Sequence, residues 1–337
     1  MSKNPLMNTR INTKKVKGIK DGWFSETEAM YPGQKFSIAL EEFSSEKSIL
    51  FSETSQFQDI LVFRSAQYGN VLVLDGVIQL SERDEFAYHE MMTHVPLLAH
   101  AHPQNVLIVG GGDGGVLREV CKHDCVQKIT MVEIDPMVIE VSKKYFSKSF
   151  GAAFDDPRVT IVYEDASEFL HSKQQQQHRK NGDYYDCIFS DTSDPVGPAE
   201  TLFQPSFYES MHDCLAKGGI VCAQSECMWI HLDFITDIVA CCTEIFGHTE
   251  YYSTLAPTFP CGQIGFILAS KNRTKSCQQL ARQPSSALLE QMKYYNPNIH
   301  QASFVLPEFV QKKLQIYQSP EAQGEKLDCL LAQCTIS

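Results

Sequence analysis

The sequence predicts an α/β protein whose main part is a doubly wound, mostly parallel sheet, preceded by a small N-terminal β domain. Three observations carry this reading. From residue 105 onward, short apolar runs of strand length alternate with runs spaced for helices. A glycine-rich turn, Gly110-Gly-Gly-Asp-Gly-Gly115, directly follows the first of these strands and opens a helix. Residues 34–80, by contrast, hold only strand-like segments.

Taken in order, Lys35–Leu40, Gln58–Phe63 and Val71–Leu80 read as strands, with a turn at Tyr68-Gly69-Asn70. Asp84 to His100 spaces Phe86, Met91, Val95 and Leu98 at helical intervals, with Ser81 or Asp84 available as a cap. Strands at 105–109, 128–134, 158–163, 185–190 and 219–224 then alternate with helices at 115–122, 136–146, 166–171, 205–215 and 231–246. Alternation of this kind gives a parallel sheet covered on both faces. Runs 249–255 and 263–269 close the sheet as antiparallel strands, and 286–314 reads as helical. Lys173 to Gly182 contains four consecutive glutamines and no apolar period, so it reads as an exposed insertion. The expected organisation is a disordered basic arm (1–20), the β domain (21–82), the Rossmann-like domain (83–320) and a C-terminal tail (321–337).

The net charge of −12 deepens to −18 once the six positive charges of residues 1–20 are set aside, so the folded body is strongly acidic. Such a surface disfavours nucleic acid and anionic lipid and attracts cationic small molecules. No apolar run reaches the ~20 residues that span a bilayer. The first twenty residues lack an apolar signal core, although their basic character leaves a transit peptide as the alternative to a disordered arm. None of the twelve cysteines forms a C-x-x-C pair, and most interrupt apolar segments. Reduced thiols in a cytoplasmic protein are the expected state.

In doubly wound sheets the ligand lies beyond the carboxyl ends of the strands. Each of the first four strands of the main sheet ends in an acid: Asp113, then Glu133 and Asp135, then Glu164 and Asp165, then Asp191 with Asp194 close behind. Gly110, Gly112 and Gly115 satisfy the spacing of a dinucleotide fingerprint, but Asp113 inside that turn would repel a pyrophosphate. A nucleoside carrying a cation is attracted instead. Glu133, about twenty residues past the glycine turn, is placed to accept hydrogen bonds from ribose hydroxyls. Asp165 can receive an adenine amino group, with the small Ala166 admitting the flat ring. Asp191 to Pro198 holds two prolines and two carboxylates three residues apart, the composition of a structured loop.

These segments, together with Gly22-Trp-Phe-Ser-Glu26, Phe57–Phe63, Tyr68–Arg83, Asp84–Glu90, Gln224 and Pro257-Thr-Phe-Pro260, resemble the spermidine synthases of the aminopropyltransferase family. The resemblance runs from about Gly22 to Phe309. It implies a methyltransferase-type Rossmann-like sheet, a homodimer, and transfer of an aminopropyl group from decarboxylated S-adenosylmethionine to putrescine. By the same resemblance Gln58, His89, Gly110, Gly112, Asp113, Glu133, Asp165 and Ala166 line the nucleoside and aminopropyl site. Trp23, Tyr88, Asp191, Asp194, Gln224 and Phe259 line the diamine site, and Asp191 is the proton acceptor. The donor is a co-substrate; no cofactor or metal is implied.

Two positions depart from the family's common pattern. His89 stands where many members have glutamine, and Phe259 stands where a tyrosine hydroxyl helps to bind the diamine. The second bears on the acceptor, since phenylalanine has no hydrogen-bonding group. The alternatives are an aminopropyltransferase for a longer amine and an amine N-methyltransferase. Asp113 weighs against the latter, because related putrescine N-methyltransferases lack an acid within the glycine turn.

Overall fold

A computed structural model of the chain describes residues 16–26, 36–42, 47–192, 201–271 and 276–318. These divide into two compact units, with the break between Asp84 and Glu85.

In the N-terminal unit, β1 (Ile19–Lys20), β2 (Trp23–Ser25) and β3 (Ser37–Ala39) form an antiparallel sheet. A second sheet is a meander of β4 (Ile49–Thr54), β5 (Asp59–Arg64), β6 (Asn70–Leu74) and β7 (Val77–Ser81). Alternation along β5 and β6 puts Leu61, Phe63, Val71 and Val73 into one cluster with Phe24 and Ile38. The run 71–80, expected as one strand, is a hairpin. Asp75 and Gly76 turn it back at φ 49° and 86°, the positive values that a two-residue hairpin matched to strand twist requires.

In the C-terminal unit, α1 (Glu85–Ala99) precedes β8 (Asn105–Gly110), α2 (Gly115–Cys121), β9 (Lys128–Val132), α3 (Pro136–Tyr145), β10 (Val159–Val162), α4 (Ala166–His171) and α5 (Lys173–Asn181). The chain continues through β11 (Tyr185–Asp191), α6 (Pro205–Cys214), β12 (Leu215–Gln224), α7 (Leu232–Phe246), β13 (Thr249–Leu255) and β14 (Gln263–Ser270). Helices α8 (Ser286–Leu289), α9 (Pro297–Ala302) and α10 (Glu308–Gln318) follow, so the stretch expected as helical from 286 to 314 is three short pieces. Proline at the first position of α9, with Asn296 as its cap, accounts for one of the breaks.

The seven strands lie in the order β10-β9-β8-β11-β12-β14-β13, with β14 antiparallel to both neighbours and the first five parallel. The expected antiparallel closure by the last two runs is therefore present. The chain enters at β8, steps outward through β9 and β10, and resumes on the other side at β11. In a doubly wound sheet such a reversal, between β8 and β11, is the place where ligands bind beyond the carboxyl ends of the strands. Val106 and Ile108 point into a core with Met91, Leu98 and Val116, while Leu107 and Val109 meet Phe207, Met211 and Ile235 on the other face. A continuous apolar run is what a strand covered on both sides needs.

The glutamine-rich segment is helix α5 rather than an irregular insertion. Ser172 caps it by accepting from Gln175 N at 3.2 Å, and Gly182 ends it at φ 81°. Glutamine is a good helix former even where no apolar stripe signals a helix. Gln175 is buried and donates to the Tyr185 hydroxyl at 3.3 Å. No helix among the described residues is long and apolar enough to cross a membrane. The ten described cysteines form no disulfide.

Glu90 on α1 ties down the segment between α8 and α9. Its buried carboxylate accepts the backbone N–H groups of Lys293, Tyr294 and Tyr295, each at 2.8 Å. Hydrogen bonds to a charged acceptor each contribute about 1.5–3 kcal/mol. Glu90→Gln turns one acceptor oxygen into a donor facing N–H groups, so it should destabilise the protein by about 2–4 kcal/mol. Urea unfolding should show a lowered midpoint at unchanged slope; an unaltered midpoint would refute the clamp.

Candidate active site

The carboxyl edge of the sheet presents Asp165, Glu133, Asp113, Asp191 and Gln224, the first three just beyond β10, β9 and β8 and the last two as the final residues of β11 and β12, in the spatial order of the strands. At the central pair the backbones touch. Gly111 N donates to the Asp191 carbonyl at 2.8 Å. Gly110 sits at φ 73°, where a Cβ would collide with that same carbonyl. Gly112 likewise leaves room for the Glu133 carboxylate.

Around this contact four predicted site residues come together. The Tyr88 hydroxyl donates to Asp191 Oδ1 at 2.6 Å. Asp113 Oδ1 accepts Gly115 N at 2.6 Å and lies 3.5 Å from His89 Nε2. Carboxylate oxygens of Asp113 and Asp191 and a ring nitrogen of His89 all fall within 4.8 Å of one another. Such a trio has the spacing for a metal ion. Here, however, both ring nitrogens of His89 face carboxylates, Nδ1 toward Glu85 at 2.7 Å and Nε2 toward Asp113. A ring that donates from both nitrogens offers no lone pair to a metal.

The charges agree with that hydrogen bonding. Burial alone would lower the His89 pKa, but the Asp113 and Glu85 carboxylates lift it to about 10. Asp191 is pushed up to about 7 by burial and then by the neighbouring Asp113, against the opposing pull of His89 and the Tyr88 hydroxyl. Among the described residues no group satisfies the buried Asp191 Oδ2. It is an acceptor held ready for a donor.

Glu133 Oε2 accepts Gly112 N at 3.1 Å and Oε1 accepts Asp135 N at 2.9 Å. Burial raises its pKa to about 7 even so. Asp165 caps α4 through Glu168 N at 3.0 Å, immediately before the buried Ala166. Phe259 stacks on Tyr88, with ring centroids 5.4 Å apart and planes at 15°. Gln224 is buried at the end of β12. Trp23 and Gln58 belong to the N-terminal unit, the former half exposed at the start of β2 and the latter just before β5. Asp194 lies outside the described residues.

Two residues, Glu85 and Arg118, were not singled out by the sequence, and a third, Gly115, has a task that its place in the glycine spacing did not show. Glu85 precedes His89 by one helical turn, a spacing that does signal a pair. Arg118 holds both oxygens of Glu85 at 2.8 Å from the next helix, which no local pattern reveals. Gly115 is more than a helix opener: the His89 imidazole lies where its Cβ would be.

The description "Spermine/spermidine synthase domain" belongs to the family model that matches residues 85–281, and "Spermidine synthase tetramerisation domain" to the one that matches 22–82. The spermidine synthase of Dictyostelium discoideum is 47% identical over 298 residues, 88% of this chain and 99% of that protein. A spermine synthase of Saccharomyces cerevisiae is 44% identical over 305 residues, 90% of this chain and 98% of that protein. A crystal structure of a spermidine synthase in complex with the transition state analogue AdoDATO superposes with a TM-score of 0.77 at 32% identity, covering 92% of this chain and 99% of that one.

Glycine to alanine at an ordinary helical position stabilises by up to about 1 kcal/mol. Gly115→Ala should do the opposite, because the methyl group displaces a buried ring, and overpacking costs about 1–3 kcal/mol. A lowered thermal midpoint, with a shifted His89 imidazole resonance, is the expected result. A raised midpoint would show that the ring is not seated there.

Proposed function

The chain belongs to the spermine/spermidine synthase family, and from that premise we propose that it acts as a spermidine synthase. It moves the aminopropyl group of decarboxylated S-adenosylmethionine to putrescine by direct displacement, giving spermidine and 5'-methylthioadenosine. The observation that carries this reading is the anionic pair Asp113 and Asp191 at the sheet reversal, with Tyr88 on Asp191 and His89 beside Asp113. Positive charge passes from sulfonium to nitrogen during transfer, and fixed carboxylates accompany it.

In this reading Glu133 takes the ribose hydroxyls, Asp165 the adenine amino group beside Ala166, and Asp113 the aminopropyl ammonium. Gln58 and His89 complete the nucleoside side. Tyr88 and Asp191 orient the attacking nitrogen, while Trp23, Asp194, Gln224 and Phe259 surround the rest of the diamine. The Asp191 carboxylate accepts the proton. An amine near pKa ~10.4 facing a carboxylate near ~4 is mismatched by about 8 kcal/mol, and raising Asp191 to about 7 leaves about 5. Desolvation of the amine in the closed site reduces the remainder, and alignment supplies much of the acceleration.

The match over residues 22–82 supports an oligomer, and a homodimer is the form proposed. A cytoplasmic setting is proposed from the thiols, none of the ten described being in a disulfide. A second reading, a longer amine as acceptor, is favoured by one feature: the apolar Phe259 ring beside Tyr88 could wall a longer methylene chain. Burial of each CH₂ would contribute about 0.8 kcal/mol.

Asp191→Asn should lower kcat by roughly 10²–10⁴-fold while nucleoside binding persists; near-normal turnover would remove Asp191 from the chemistry. In the unmutated enzyme kcat/KM for the amine should rise with pH through about 7, as Asp191 loses its proton in the free protein. Bound cations favour the carboxylate, so the corresponding limb in kcat should lie at lower pH. The acceptor is decided by kcat/KM for putrescine, cadaverine and spermidine. Putrescine should lead, and Phe259→Tyr should lower its KM a few-fold at similar kcat, since one neutral hydrogen bond adds only ~0.5–1.5 kcal/mol. A higher value for a longer amine would establish the second reading.

A further inference from the structure

Glu85 and Arg118 touch no reacting atom in this scheme, yet they complete a line of charged groups that ends at Asp113. We propose that Glu85, clamped by Arg118, is a positioning residue that keeps the His89 imidazole doubly protonated, with its Nε2–H directed at Asp113. The pair thereby sets the charge that Asp113 presents to the donor's ammonium. The inference rests on the aminopropyl-transfer reading for the identity of that ammonium and on geometry for the rest.

Arg118 Nη1 and Nη2 reach the two Glu85 oxygens, each at 2.8 Å, the bidentate arrangement in which a carboxylate cannot rotate freely. Its Nε is held in turn by Glu119 at 2.6 Å, and Glu119 is anchored by His94 and Lys122 at 2.8 and 2.7 Å. The guanidinium is thus fixed on both sides. Glu85 Oε2 then meets His89 Nδ1 at 2.7 Å. The ring cannot turn away, because it lies against the backbone at Gly115 and edge-on to Tyr88 and Phe150. At 3.5 Å the contact from Nε2 to Asp113 is an ion pair rather than a short hydrogen bond, which leaves the carboxylate able to engage a second cation.

The groups that face His89 are Glu85 and Tyr88 from α1, Asp113 from the glycine turn, Arg118 and, through it, Glu119 from α2, and Asp191 from β11. Phe150 is uncharged. Anions dominate this shell, in keeping with a ring that holds its second proton up to about pH 10. Without the Glu85 charge that proton is held by Asp113 alone. As pH rises the ring becomes neutral, one of its nitrogens turns into an acceptor, and one carboxylate loses its donor.

Titration of the histidines by NMR in ¹⁵N-histidine protein, with His89 assigned from its absence in His89→Gln, tests this without any turnover. His89 in the unmutated protein should stay doubly protonated beyond pH 9, and in Glu85→Gln it should titrate about two units lower, as for loss of an adjacent charge. Arg118→Lys, which keeps the charge but loses the fork, should fall between the two. In the pH profile, kcat/KM for decarboxylated S-adenosylmethionine in Glu85→Gln should fall about tenfold from pH 7 to 9 relative to the unmutated enzyme. That extra fall should vanish in Glu85→Gln/His89→Gln, whose amide does not titrate. A His89 that titrates alike in all these proteins, or an alkaline fall that survives in the double variant, would overturn the proposal. Absence of aminopropyl transfer by the unmutated enzyme would instead overturn the functional reading, and the NMR titration would still decide the role of Glu85.

Discussion

Where the sheet reverses, the Gly111 N–H donates to the Asp191 carbonyl and no side chain fits between Gly110 and that carbonyl. Two strands from distant parts of the sequence therefore end in contact, and each carries a carboxylate into the same small space. Two unit charges at 4 Å repel by about 4 kcal/mol at an effective dielectric of 20, so this arrangement has a cost in the absence of cations. The Tyr88 hydroxyl and the His89 imidazolium offset part of it. What remains unbalanced is available to an incoming ammonium or sulfonium.

This gives the glycines of the turn distinct tasks. Gly110 allows the strand contact, Gly112 makes room for Glu133, and Gly115 receives the His89 ring. A dinucleotide site uses the same spacing to bring backbone N–H groups to a pyrophosphate. In this chain the Gly115 N–H is already bonded to Asp113, so the turn offers charge of the opposite sign. One backbone shape thus serves ligands of opposite charge, and the residue between the glycines selects between them.

Much of this was legible in the sequence because the informative signals are local. The apolar runs of β8, β9 and β11 and the acids that end them lie within a few residues of one another, and the βα rhythm dictates that they share an edge. The hairpin at Asp75-Gly76 carried its own turn signal, but the unbroken apolar run around it masked the turn. α5 could not be read from periodicity, since its buried anchor among the described side chains is Gln175, a polar residue. The support behind His89 was hidden for a different reason. Arg118 is 33 residues from Glu85, and only the packing of α2 against α1 makes them partners. Resemblance to a family supplied roles for Trp23, Gln58 and Asp194 that no local pattern in the sequence could have given.

The acid-lined edge also bears on what leaves the site. In the proposed reaction the acceptor enters with two amino groups and the product departs with three, so the product is the more highly charged cation. An edge that draws in a diamine holds a triamine more firmly, and the −18 body surrounding it adds attraction in the same sense. Mobile ions screen such attraction over about 8 Å at physiological ionic strength and over about 30 Å at 0.01 M. Capture and escape are thus governed by the same field with opposite effect, and the salt content of the surroundings shifts the slow step from arrival toward departure as it falls.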